Sequence, residues 1–150
     1  MLNLGRLAFL KNRKNKDKLR KTVIKVPSSV GYIRKVSSKI LSSLEPRKLD
    51  EDKLFDIRLC VEEAVRNAMV HGNGGNKNLS VRVAYWVKDE RFIVEVKDEG
   101  SGFDYRRLED PTANESLMKN SGRGVFLIKN LMDEIEFNER GNKVKMVKYL

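Results

Sequence analysis

The sequence predicts an α+β domain, a two-layer sandwich in which a mixed, mostly antiparallel sheet carries helices on one face. Two runs of alternating apolar residues, at 79–87 and 91–98, lie close enough in the chain to pair as a hairpin. Three other segments repeat apolar residues at helical spacing. Helices and hairpins come in groups, and no glycine motif follows a βαβ pattern, which excludes a doubly wound dinucleotide-binding fold.

The first element is the short β-rich run TVIKV, 22–26, closed by Pro27. Ser28 is placed to cap the helix that follows, with Val30, Ile33, Val36, Ile40, Leu41 and Leu44 on its inward stripe. Pro46 breaks that helix. Asp50 caps a second one, which runs to about His71 and ends at the glycine-rich HGNGGNKN. In LSVRVAYWV, 79–87, the residues Leu79, Val81, Val83, Tyr85 and Val87 share one face, and Phe92, Val94 and Val96 do so in the next strand. The four residues KDER join the two. Trp86 falls with Arg82 on the opposite face, as partly exposed packing. A polar stretch, 104–121, precedes GRGVFLIKNLMDE, a helix with Val125, Ile128, Leu131 and Met132 inward. Strand-like runs near 134–140 and 143–150, joined through RGN, complete the chain.

With 150 residues, 40% of them hydrophobic, one ordinary domain with a real core is expected. No run of about eighteen apolar residues exists to span a membrane. The N-terminal segment has its apolar residues before its charges, the reverse of a secretory signal. A single cysteine, Cys60, cannot form an internal disulfide, and this suits a reducing, cytoplasmic setting. The net charge of +10 invites a nucleic-acid reading until its location is considered. Of 31 Lys and Arg, nine lie in residues 1–25 beside the single acid Asp17, leaving 22 bases against 20 acids in the remainder. The basicity belongs to a tail, 1–20, and the domain, 21–150, is nearly neutral, so direct nucleic-acid binding is not expected of it.

Three short motifs carry chemistry. At about 100° per residue, Ile57, Val61, Ala64 and Ala68 share one side of the second helix. Glu63, Asn67 and His71 fall within about 80° of one another on the other side. A solvated helix face explains that spacing equally well when the helix is taken alone. Glu62 and Arg66 are placed as a surface i, i+4 ion pair. The second motif is DEGSGF, 98–103, where a carboxylate followed by Gly-x-Gly lets backbone approach a flat ligand closely. Asp98 could accept a hydrogen bond from an exocyclic amine there. The third is SGRG, 121–124, opening a helix, where free N–H groups and the positive dipole end favour phosphate.

In this order the motifs resemble the N, G1 and G2 boxes of the GHKL superfamily, whose Bergerat fold binds ATP in histidine kinases, gyrase and MutL. Within it, VEEAVRNAMVHG, DEGSGF and SGRGVFLIKNLMDE look like the anti-sigma factor serine/threonine-protein kinases of the RsbW type, over about residues 22–150. The resemblance implies ATP and Mg²⁺ as cofactors, with Glu63 as general base and Asn67 holding the metal. It implies that Asp98 reads the adenine amino group while Gly100 and Gly102 permit close approach. Ser121, Gly122, Arg123, Gly124 and Val125 would line the phosphate site, with His71 in reach of phosphate, and 104–121 would be a lid over the nucleotide. Where relatives usually carry Thr near the adenine, this chain has Asn142. The implied partners are an anti-anti-sigma, STAS-type protein as phosphoacceptor, a sigma factor to be sequestered, and a second copy of the chain in a homodimer. A nucleotide-gated binding module without useful phosphoryl transfer is the alternative. The catalytic half of a histidine kinase is disfavoured, because the single histidine, His71, lies inside the ATP motif.

Overall fold

The computed structural model describes residues 19–101 and 121–150. The tail up to Lys18, together with Gly102, Phe103 and the expected lid as far as Asn120, lies outside the described residues. The chain runs β1 (Leu19–Pro27), α1 (Ile33–Leu44), α2 (Glu51–Asn67), β2 (Ser80–Lys88), β3 (Arg91–Lys97), α3 (Ser121–Leu131), β4 (Glu134–Phe137) and β5 (Lys143–Tyr149). The five strands form one sheet in the order β1-β2-β3-β5-β4, and every pairing among them is antiparallel. Helices cover one face of the sheet, giving the two-layer α+β arrangement expected.

Alternation in the strands decides which face is covered. Val81, Val83, Tyr85 and Val87 of β2 are buried, as are Phe92, Val94 and Val96 of β3 and Val144 and Met146 of β5. Against them pack Ile33, Val36, Ile40 and Leu44 from α1, and Ile57, Val61, Ala64 and Val65 from α2. Each fully buried Ile, Leu or Phe removes enough apolar surface from water to contribute about 1.5–3 kcal/mol. Cys60 is wholly buried in this layer, and burial pushes its thiol up to about 12.

Several local expectations meet their physical outcome here. Asp50 caps α2 as expected, accepting the Lys53 N–H at 2.8 Å. Ser28 does not cap α1. Its hydroxyl donates instead to Leu79 O at 2.8 Å, and a short 3₁₀ turn, Val30–Tyr32, intervenes and leaves Val30 exposed. Glu62 accepts the Ser37 hydroxyl at 2.7 Å, tying α2 to α1, and forms no ion pair with Arg66 among the described residues. The β2–β3 loop is two residues, Asp89 and Glu90, both with positive φ, the backbone of a type I′ hairpin turn. Trp86 is half-buried beneath Lys21, whose ammonium lies 4.7 Å from the ring centre.

Past Asn67 the helix does not end. It widens into a π turn, Ala68–Gly72, in which the Asn73 N–H reaches Ala68 O at 2.8 Å. The 3.6-residue period therefore stops at Asn67.

Candidate nucleotide site

Helix α2 supplies the base of the site. Its buried side faces the sheet, and Glu63 and Asn67 are half-buried at its border with α3. The first turn of α3 presses against them. A Cβ on Gly124 would lie 2.9 Å from Glu63 Oε2 and 3.1 Å from Asn67 Nδ2, so the backbone of the SGRG motif touches both side chains of the E-x-x-x-N motif. Only glycine leaves that contact open.

Between α2, α3 and the end of the sheet lies a small cavity, partly open to solvent. Val96 and Val144 contribute from the strands. Ala64 and Asn67 line it from α2, Ala68 from the π turn, Val125 and Ile128 from α3, Phe137 from the end of β4, and Gly141 and Asn142 from the β4–β5 connection. Asp98 enters at the end of β3. An apolar chamber with a few convergent polar groups is the usual form of a small-molecule site.

Asp98 is held on several sides. Its N–H donates to Asn142 O at 2.9 Å, and its Oδ1 accepts the Gly100 N–H at 2.9 Å. Gly72 packs so closely that a Cβ there would overlap the carboxylate, and a Cβ on Gly100 would overlap the Gly72 carbonyl. Burial raises the Asp98 pKa above its ordinary 3.8, opposed by the Gly100 N–H and by the charge of Arg140.

Residues the motifs did not name complete this end of the sheet. The buried Asn73 donates to Ser28 Oγ at 2.9 Å and Ser80 O at 3.0 Å, and accepts the Glu99 N–H at 2.8 Å. Glu99 in turn accepts the Ser80 N–H at 2.6 Å. Together these bonds fix the backbone that follows Asp98. Asn138 accepts the N–H groups of Asn142 and Lys143 at 3.0 and 3.1 Å, and its amide donates to Asn142 Oδ1, which shapes the opposite rim. The only sequence signal for this network was the excess of Asn beside glycine in HGNGGN and RGN.

The structure therefore brings Glu63, Asn67, Asp98, Gly100, Gly124 and Val125 together. Arg123 is exposed, and His71 is exposed in the π turn and does not line the cavity. Ser121 and Gly122 open α3 as described, and Gly102 lies outside the described residues. No cluster of three or more His, Cys, Asp or Glu able to hold a metal occurs among the described residues. A Mg²⁺ shared with phosphates fits this donor set, since it keeps waters and needs only one or two protein oxygens.

Residues 26–148 match the family described as the histidine kinase-like ATPase domain. Serine-protein kinase RsbW from Staphylococcus aureus strain MSSA476 is 27% identical over 135 residues, 85% of each chain, and that of strain Newman matches equally. Among solved structures, a chain of the SiaB–SiaC complex from Pseudomonas aeruginosa superposes with a TM-score of 0.60 at 15% identity over 98% of both chains. The RsbU and RsbW domains of Rv1364c from Mycobacterium tuberculosis superpose with a TM-score of 0.56 at 18% identity, covering 86% of this chain and 31% of that longer one. The matched span takes in α2, β3 and α3, the three elements that build the cavity, and the chain belongs to the family of histidine kinase-like ATPase domains, similar within it to the RsbW serine-protein kinases.

Proposed function

We propose that the protein is an ATP-dependent serine/threonine kinase of the anti-sigma factor type. It would phosphorylate an anti-anti-sigma protein with a STAS-type domain and sequester a sigma factor, acting in the cytoplasm as a homodimer. The observation that carries the reading is the contact of Gly124 with both Glu63 and Asn67, which brings together two motifs more than fifty residues apart, beside the cavity that Asn67 lines. The names of the RsbW relatives support the kinase class.

In this reading Asp98 accepts the adenine amino group, and the close packing of Gly72 and Gly100 against it holds the carboxylate in position. The cavity walls from Val96, Val144 and Ile128 exclude water from the base. Asn67 would offer its amide oxygen to Mg²⁺, which would supply charge neutralisation for the phosphates. Backbone N–H groups of Gly122, Arg123 and Gly124 would face phosphate oxygens at the α3 terminus. Glu63 takes the proton from the partner's hydroxyl as that oxygen bonds to the γ-phosphorus, and the bond to the β,γ-bridging oxygen breaks to release ADP.

The test is transfer of label from γ-labelled ATP to a co-encoded STAS-type protein. Wild type should bind ATP in a Mg²⁺-dependent manner and transfer label. Glu63→Ala should keep binding and lose transfer by about 10²–10⁴-fold. Binding without transfer to any candidate would replace the kinase with a nucleotide-gated binding module, and absence of ATP binding would remove both.

A further inference from the structure

Cross-strand register lines up four bases on the sheet face turned away from the helices. Lys25 of β1 pairs with Arg82 of β2, Arg82 with Lys97 of β3, and Lys97 with Lys143 of β5. In β2, β3 and β5 these positions alternate with the buried Val81, Val83, Val96 and Val144, which sets the side they face. Lys25, Arg82 and Lys97 are all exposed. At a strand spacing of about 4.8 Å the row spans about 14 Å.

Such a row costs stability, because like charges directly opposite one another destabilise a sheet. Neighbours stand closer than the screening length of about 8 Å at physiological salt, so the four act as one field. Glu95 offsets one end, 3.6 Å from Lys143, while the other three bases form no ion pair among the described residues. The near-neutral charge count of the domain conceals this segregation. Position adds to it: Lys97 immediately precedes Asp98 and Lys143 immediately follows Asn142, so the row crosses the end of the sheet that carries the cavity.

We infer that this row is the docking surface for an acidic patch on a partner protein. A folded partner presenting three or four carboxylates in a line satisfies the field and leaves the rest of the face untouched. Protein fits better than nucleic acid for two reasons. Val23, 45% exposed, adjoins the row, and the exposed Glu134 and Glu136 on the same face of β4 would repel a continuous phosphate backbone. A second copy of this chain would bring the same unpaired bases to the contact. The inference stands apart from the kinase reading, since it concerns the face opposite the helices.

The probe is a fluorescently labelled decaglutamate peptide, titrated with the full chain and followed by anisotropy at several salt concentrations. The variant Lys25→Ser/Arg82→Ser/Lys97→Ser removes the row outside the cavity. The variant Arg34→Ser/Lys35→Ser/Lys39→Ser removes the same charge from the exposed face of α1 and controls for net charge and for the basic tail. Affinity should fall about tenfold or more in the first variant and less than about twofold in the second. The melting temperature of the row variant should hold or rise, which separates lost docking from lost folding. Equal losses in the two variants, or unchanged binding in the first, would overturn the inference. So would displacement of the peptide by an equally charged single-stranded oligonucleotide at lower concentration, or a sedimenting dimer that the row variant dissolves.

Discussion

Asp98 shows how one side chain can be costly to the fold and useful to the site. Burial disfavours its ionised form, so its folded pKa lies above the unfolded value of 3.8. Between those two values the folded protein binds more protons than the unfolded chain, so stability falls as pH rises through that window. Ligand recognition has the opposite sign. A carboxylate accepts from an amine, a carboxylic acid does so poorly, and ATP affinity should be lost as pH falls through the raised pKa. Titrating ATP affinity from neutral pH downward should locate that loss above the range of a solvent-exposed carboxylate. Asp98→Asn should raise the melting temperature at neutral pH and weaken ATP by about tenfold to a hundredfold, the worth of a hydrogen bond to a charged group. A drop in both quantities would contradict this assignment. Asn73 makes the complementary case, since nothing in its composition separates it from a turn residue. Its importance comes from the folded neighbours it joins, Ser28, Ser80 and Glu99, which the sequence places 45, 7 and 26 positions away.

Elements differ in how plainly the sequence announces them, and the reason is range. The β2–β3 hairpin and the cap at Asp50 depend on residues within a few positions, and both follow from local pattern. The role of Ser28 depends on Leu79 and Asn73, which no local rule brings near it. The π turn after Asn67 depends on how Gly72 must pack against Asp98 and Gly100, so the helical period misplaces His71 once it is carried past that point. For the site, the residues contributed by α2, β3 and α3 were legible as motifs. The Phe137 and Asn138 side of the cavity was not, because it is made by a hairpin without chemical signature. Helix α3 yields a prediction with opposed signs. Gly124→Ala should stabilise the helix by up to about 1 kcal/mol through propensity. The new methyl would displace Glu63 and Asn67, which sit on the far ends of flexible side chains, and phosphoryl transfer should fall about tenfold or more. Thermal melting and the label-transfer assay on one preparation read both effects.

Across the whole molecule, one layer of helices over one sheet leaves two unequal surfaces. The helical side closes over the cavity, while the far side of the sheet carries charge. At the far end of the domain, Lys148 donates to Asp56 at 3.0 Å and to Leu131 O at 2.6 Å, joining α2, the last turn of α3 and β5. Position along the chain says little about this arrangement. The pairing order places β5 between β3 and β4, so the last strand is an interior one, next to β3 at the centre of the sheet. Cys60, sealed under that centre with its proton held until about 12, has a practical consequence. A maleimide or disulfide reagent at neutral pH should leave the native chain unlabelled and should react only after denaturation, as mass spectrometry will show. A dye could then be attached through a cysteine introduced at Val23 or Lys35 without first removing the natural one. Distances between fluorophores would report how partners approach either surface in solution.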